Sequence, residues 1–282
     1  MSEASSGSAA PKRLGVIGDP VAHSISPAMQ QPALDALGIN ARYERWHTTA
    51  GELPARIASL RGNDMLGANV TVPHKQWVMS LVDEVSPLAQ SAGAVNTIVN
   101  QGGRLLGDNT DVYGFSTSLL EICPDAASRA AVLLGAGGAA RAVVLALREA
   151  GVREITIVNR NLARAEMLRD DLGVDLVVAD SPDAALPAAG ILINATSLGW
   201  HAGEMPLAVS LLDLLGSDAL VVDLTYRDTD LLDAARDRGL ATLDGLGMLV
   251  HQGARAFERF TGQPAPLDVM WSAALAARAP RS

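Results

Sequence analysis

No segment constrains this chain more than Gly135-Ala136-Gly137-Gly138-Ala139-Ala140. It follows a short apolar run, Ala131 to Leu134, that reads as a buried strand. It opens a stretch, Ala139 to Ala150, that reads as a helix. A strand that ends in a glycine turn and passes directly into a helix reads as the first unit of a parallel α/β fold that binds a dinucleotide, the alternative being a tight turn with no ligand. The first glycine permits the tight turn, and the second lets the backbone approach a pyrophosphate. Ala140, in third place, is small enough for helix to pack on strand. The free N–H groups and positive dipole at the helix start then suit phosphate. Gly135, Ala136, Gly137, Gly138 and Ala139 are the candidate cofactor-binding residues of this turn.

The next strand, Glu154 to Val158, refines the cofactor. An NAD site places an acidic residue about 20 residues on, where it binds the ribose 2′-hydroxyl. This chain has Asn159-Arg160-Asn161 there, and Arg164 one helical turn later. With no acid and two guanidinium forks, Asn159, Arg160 and Arg164 favour the 2′-phosphate of NADP.

Strands and helices alternate through both halves. Strands are expected at Arg13–Gly18, Arg42–His47, Leu66–Val72, Asp175–Val178, Gly190–Ile193 and Leu220–Asp223. Helices are expected after Ser26, with Ser26 as its cap and Gly38 as its end, at Glu52–Leu60 and at Leu162–Leu172. Asn96–Asn100 and Arg104–Leu106 flank Gln101-Gly102-Gly103 and read as a hairpin, so the first sheet is mixed. Leu246–Phe260 and Leu267–Ala277 read as two closing helices, free to fold back on the first half. At 282 residues, two domains are the first expectation.

Composition excludes several function classes. A net charge of −9 argues against a nucleic-acid partner. The single cysteine, Cys123, allows no disulfide within the chain, and the five histidines show no metal-ligand spacing, so no metal is expected. The apolar stretch Ala130–Leu147 is broken by glycines and Arg141, so no membrane span is expected. Residues 1–11 have neither a basic start nor an apolar core; they read as a disordered tail, and a cytoplasmic protein is expected.

Three polar segments remain. Ser24-Ile25-Ser26-Pro27 puts two hydroxyls at a loop-to-helix junction, where a carboxylate could dock or where the serines serve only turn and cap. In Asn69-Val70-Thr71-Val72-Pro73-His74-Lys75, Asn69 and Thr71 alternate along one strand, and Lys75 follows its carboxyl end, where open α/β sheets bind ligands. Asn109-Thr110-Asp111 is a polar cluster at the junction of the two halves.

With Ala94-Val95-Asn96-Thr97, Asn194-Ala195-Thr196-Ser197-Leu198-Gly199 and Gly245-Leu246-Gly247-Met248-Leu249-Val250-His251-Gln252, these segments stand in the order found in shikimate dehydrogenases. The chain resembles that family from about Gly15 to Gly262. The resemblance implies NADPH-dependent reduction of 3-dehydroshikimate to shikimate, a step of aromatic amino-acid (chorismate) biosynthesis. It implies an N-terminal substrate-binding and catalytic α/β domain with a mixed sheet, residues 12–112. A Rossmann-type NADP domain, residues 113–245, and helices returning to the first domain, residues 246–282, follow. Lys75 and Asp111 match the family's catalytic pair. Ser24 and Ser26 match the residues that hold the substrate carboxylate, and Asn69, Thr71, Asn96, Asp111 and Gln252 those that bind its oxygens. Tyr226 matches a tyrosine at the mouth of the site; Thr196, Ser197, Gly245 and Met248 fall on the cofactor side. A monomer or homodimer is expected.

Two stretches depart from the family: Met29-Gln30-Gln31-Pro32, and the short spacer Arg227-Asp228 between Tyr226 and Thr229. The rival readings are a quinate/shikimate dehydrogenase with wider substrate range or NAD use, a paralogue acting on an amino-substituted analogue, and a non-catalytic dinucleotide sensor.

Overall fold

The structure, a computed structural model, describes residues 10–173 and 175–278. The expected disordered tail therefore lies outside the described residues, apart from Ala10 and Pro11, which lead into the first strand.

In chain order the first half comprises β1 (Lys12–Gly18), α1 (Ser26–Ala36), β2 (Ala41–His47), α2 (Leu53–Ser59), β3 (Met65–Val70), β4 (Glu84–Val85), α3 (Pro87–Ala92), β5 (Thr97–Gln101) and β6 (Arg104–Asp108). The strands form one mixed sheet in the order β2-β1-β3-β5-β6-β4. β1 lies parallel to both β2 and β3, while β5 runs antiparallel to β3 and β6, the latter through the expected hairpin. β1 sits inside the sheet with both faces covered. Leu14 and Val16 enter a core under α1, and Ile17 enters a second core against α2. Edge strand β2 instead alternates buried and exposed positions.

The helix α4 (Asp111–Ile122) joins this sheet to the second half, so the boundary expected at residue 112 falls within a helix. Then come β7 (Ala130–Leu134), α5 (Gly138–Glu149), β8 (Ile155–Val158), α6 (Leu162–Leu172), β9 (Val177–Ala179), β10 (Ala189–Asn194), β11 (Leu220–Asp223), α7 (Asp230–Arg236) and β12 (Ala241–Leu243). All six strands are parallel, in the order β12-β11-β10-β7-β8-β9. The order reverses between β7 and β10, and ligands bind outside the carboxyl ends of strands at such a switch point.

The last helices, α8 (Leu246–Thr261) and α9 (Leu267–Ala277), return to the first sheet. Val250, Phe257, Phe260, Met270 and Ala274 share a core with Leu14, Met29 and Leu34. Fully burying a large apolar side chain contributes about 1.5–3 kcal/mol, which holds the return. The departing segment serves this packing: Met29 is buried, and Gln30 donates to the Gly253 carbonyl of α8 at 2.9 Å.

Two local expectations are corrected. Ser26 does not cap α1. Ile25 occupies the cap position with no side-chain bond, and Ser26 lies inside the first turn. Pro27 therefore takes the second helical position rather than the first. β3 ends at Val70, so Asn69 lies on the strand and Thr71 just beyond it. Sequence patterning also missed α3, α4, α7 and the short edge strands β4 and β12, whose two or three residues carry no periodicity.

Candidate active site

A cavity of about 700 Å³ opens between the carboxyl edge of β1 and β3 and the loops that follow β10 and β11. Ser24, Ser26, Asn69 and Thr71 line it, as do Lys75, Asn96 and Asp111. Tyr226 and Gln252, from elsewhere in the chain, complete its wall. All nine residues assigned to substrate or catalysis thus converge on one space.

Lys75 donates from Nζ to Asp111 Oδ2 at 2.7 Å, with the two side chains 21% and 9% exposed. The other Asp111 oxygen accepts from Asn96 Nδ2 at 2.8 Å. Asp111 is the first residue of α4, where the helix dipole favours a carboxylate. Asn109, named in the sequence as part of this polar segment but given no role of its own, secures that turn by accepting from the Asp111 and Val112 N–H groups at 3.0 and 3.3 Å. The Lys75 carbonyl accepts from Val95 N at 2.8 Å, so backbone on both sides of the pair is fixed. An ammonium has three donors, and the Asp111 bond uses one.

Asn96 is the hub. Its Oδ1 accepts from Thr110 N at 2.8 Å and Thr97 Oγ1 at 3.0 Å. Asn69 is held by the Tyr43 hydroxyl, which donates to its Oδ1 at 2.7 Å. Burial pushes the Tyr43 phenol up, so it stays a donor. Tyr43 lay in a strand and gave no sign of this role, because the contact crosses from β2 over β1 to β3.

At the entrance, Ser24 Oγ accepts from Ser26 N at 3.3 Å, so both hydroxyls sit at the N-terminal turn of α1. His74, next to Lys75, is buried and 2.6 Å from the Thr48 carbonyl; it belongs to the scaffold.

The second group of assigned residues surrounds the switch point. Gly135 has φ +104°, which favours glycine, and its turn is pinned by the bond from Gly135 N to the Val158 carbonyl at 2.8 Å. Ala136 and Ala139 flank Gly137 and Gly138, where an added Cβ would meet nothing within 4 Å. That open space over a helix N-terminus fits a pyrophosphate. Across the switch point, Asn194 Oδ1 accepts from Thr196 N and Oγ1 at 3.1 and 2.7 Å. Its Nδ2 donates to the buried Asp223 at 2.9 Å. Ser197 follows in the same turn. Burial pushes the Asp223 carboxyl up, against the hydrogen bonds of Asn194, Thr225 and Thr229. Gly245 backs on the Leu224 carbonyl as α8 begins, and Met248 is half-buried one turn later.

Asn159 donates to the Asn161 carbonyl at 2.7 Å beyond β8, and Arg160 and Arg164 are exposed beside it. Arg160→Ala is expected to weaken NADP binding roughly tenfold or more, the worth of a charged hydrogen-bond partner, and to leave NAD binding nearly unchanged. Titration with both dinucleotides checks this; equal losses would remove the phosphate role.

Sequence reasoning missed Trp200, His201 and Arg227, which also line the cavity. The nearest signals were the family-like segment that ends at Gly199 and the short spacer after Tyr226.

Comparison with known proteins agrees across the chain. A family model described as shikimate dehydrogenase substrate binding domain matches residues 16–98. One described as shikimate / quinate 5-dehydrogenase matches 118–225, and one for the shikimate 5′-dehydrogenase C-terminal domain matches 245–275. A shikimate dehydrogenase (NADP(+)) of Symbiobacterium thermophilum is 48% identical over 94% of each chain. The structure of a shikimate 5-dehydrogenase from Thermus thermophilus, in complex with NADP(H) and shikimate, has a TM-score of 0.83 at 40% identity, covering 95% of this chain and 100% of that one. A quinate dehydrogenase from Corynebacterium glutamicum in complex with NAD reaches 0.86 at 34% identity, covering 94% and 99%. Identity at this level over nearly the whole length, on the same two-sheet frame, means that the chain belongs to the shikimate dehydrogenase family.

Proposed function

We propose that this protein is an oxidoreductase that interconverts 3-dehydroshikimate and shikimate with NADP, as a step of aromatic amino-acid biosynthesis. The observation that carries the reading is the Lys75–Asp111 pair, set 2.7 Å apart inside a cavity that also presents Ser24 and Ser26. The dinucleotide fits the residues present: open space at Gly137 and Gly138, exposed Arg160 and Arg164, and no acid after β8. When bound, it supplies or accepts hydride.

In the reductive direction, negative charge develops on the substrate's carbonyl oxygen. The Lys75 ammonium stabilises that charge and donates the proton from Nζ. Asp111 orients Nζ and, with Asn96, Asn69, Thr71 and Gln252, offers partners to the ring hydroxyls. Ser24 and Ser26, with the N–H groups of α1, hold the carboxylate. Tyr226 stands at the mouth. No step needs a metal, because the charge is met by an ammonium.

The Lys75–Asp111 pair speaks against a pure dinucleotide sensor, which needs neither. Asn159 and Arg160 in place of an acid speak against NAD, the dinucleotide in the structure of the Corynebacterium glutamicum quinate dehydrogenase. Among the described residues, no helix is long and apolar enough to cross a membrane. The compartment proposed is the cytoplasm, where the lone thiol Cys123 needs no partner, and the working unit a monomer or homodimer.

The test is absorbance at the nicotinamide band with shikimate or quinate crossed against NADP or NAD. Shikimate with NADP should give the highest kcat/KM. Absence of turnover with that pair would overturn the reading, and comparable values with quinate would overturn the substrate preference.

A further inference from the structure

The mouth of the cavity holds a cation that the chemistry at Lys75 does not use. Trp200, in the loop after β10, meets Tyr226 edge to face with ring centroids 5.2 Å apart. Arg227 lies over the Trp200 face, its Cζ 4.9 Å from the centroid, and its Nη1 donates to the Trp200 carbonyl at 3.2 Å. The Tyr226 hydroxyl donates to the His23 carbonyl at 3.4 Å, which sets the cluster against the loop that carries Ser24. All of these residues line one cavity.

Among the described residues Arg227 lacks a counter-charge. Asp228, next in the chain, is turned to Arg236 at 2.9 Å and to Arg278 at 3.6 Å. No carboxylate lies within ion-pair distance of Arg227 among the described residues, and its buried Nε has no hydrogen-bond partner among them. Burial pushes the Tyr226 phenol up while Arg227 and Arg45 pull it down, so both guanidiniums act on this mouth. Arg45 is committed: it donates from Nε and Nη2 to the Ser24 carbonyl at 2.9 and 2.8 Å. Arg227 is the guanidinium left for a ligand. Its fork is clamped by an aromatic face and a carbonyl, which lowers the entropy lost on binding an anion. The need is physical, since a net charge of −9 repels an anionic substrate at long range and a local cation at the entrance offsets this.

We propose that Arg227, held on Trp200, is a specificity-determining residue that recognises the substrate's carboxylate together with Ser24 and Ser26, so that the cavity selects an anionic over a neutral cyclic hydroxy compound. This rests on the reading that the substrate is a carboxylate.

The experiment measures kcat/KM with NADP for shikimate and for its methyl ester, in wild type, Arg227→Met and Arg227→Lys. Met keeps a stem over Trp200 and removes the charge. The preference for acid over ester should fall about five- to tenfold in Arg227→Met, as expected for a partly exposed cation at a rim, with the loss carried by KM. Arg227→Lys should recover part of it. A preference within twofold of wild type, or an equal loss on both compounds, overturns the proposal; the latter would show a packing role only. Arg227→Gln decides in the same way if the Met variant does not fold. Failure of wild type to oxidise shikimate would overturn the functional reading and this proposal with it. Normal wild-type activity with unchanged discrimination in the variants overturns the role of Arg227 alone.

Discussion

Lys75→Met is expected to lose about 10²–10⁴-fold in kcat, the range for a general acid that also meets developing charge. Met keeps the aliphatic stem and removes only the ammonium. The loss should appear equally in kcat and kcat/KM, because a charge that forms during the reaction is met mainly in the transition state. Substrate and NADP affinity should change far less. The fold should persist: Lys75 contacts Asp111 at the cavity wall, and Asp111 retains its bond from Asn96 at 2.8 Å. Lys75→Ala should behave alike. Saturation kinetics separate this from simple attraction of an anion, in which KM would climb and kcat stay near wild type. A wild-type kcat in either variant would remove Lys75 from the chemistry.

Gly114→Ala is expected to reduce both stability and activity, although Gly114 does not line the cavity. It lies one turn after Asp111 on α4, at the crossing with α8. An added Cβ there would sit 2.6 Å from the Met248 carbonyl, 2.7 Å from Gln252 Cβ and 2.8 Å from Gln252 N. Two of these are backbone atoms, so the helices must separate. Such overpacking costs about 1–3 kcal/mol, and the alanine returns up to about 1 kcal/mol of helix propensity. At about 2–4 °C per kcal/mol for a chain near this size, the melting temperature should fall by several degrees. The catalytic effect should be larger. Asp111 and Gln252 reach the cavity from these two helices, and a displacement of about 1 Å can cost on the order of 10²-fold. Calorimetry and steady-state kinetics on the purified variant check both effects. A melting temperature and kcat/KM indistinguishable from wild type would show that the crossing tolerates the methyl.

Glycine turn, switch-point fold and cofactor class were legible because they depend on neighbours in sequence. Gly135 needs a positive φ, Gly137 opens a helix, and Arg160 follows the next strand, all within thirty residues. Strand and helix periods are equally local, which is why α6, β11 and α9 have the bounds read from the sequence. Ser26 misled for the opposite reason. Its residue type suits a cap, but whether it caps depends on backbone geometry at Ile25, which no residue preference states.

The order of polar segments, by its likeness to a family, named the residues of the site, and elementary chemistry made their roles sensible. What the sequence alone determined is therefore the donor set and the fold class. Only the tertiary structure decided how that set meets. Asn69 is oriented by Tyr43 from another strand, Asp111 by Asn96 and Asn109, and Gln252 arrives on a helix 141 residues beyond Asp111 in the chain. The Trp200–Tyr226–Arg227 cluster was illegible for the same reason. Its members lie in irregular loops that carry no period, and among the described residues Arg227 has no carboxylate partner while its neighbour Asp228 is paired with Arg236 and Arg278. Local backbone preference acts over a few residues and can be read in order along the chain. Packing and charge pairing act through space, where sequence distance sets no limit on which groups meet.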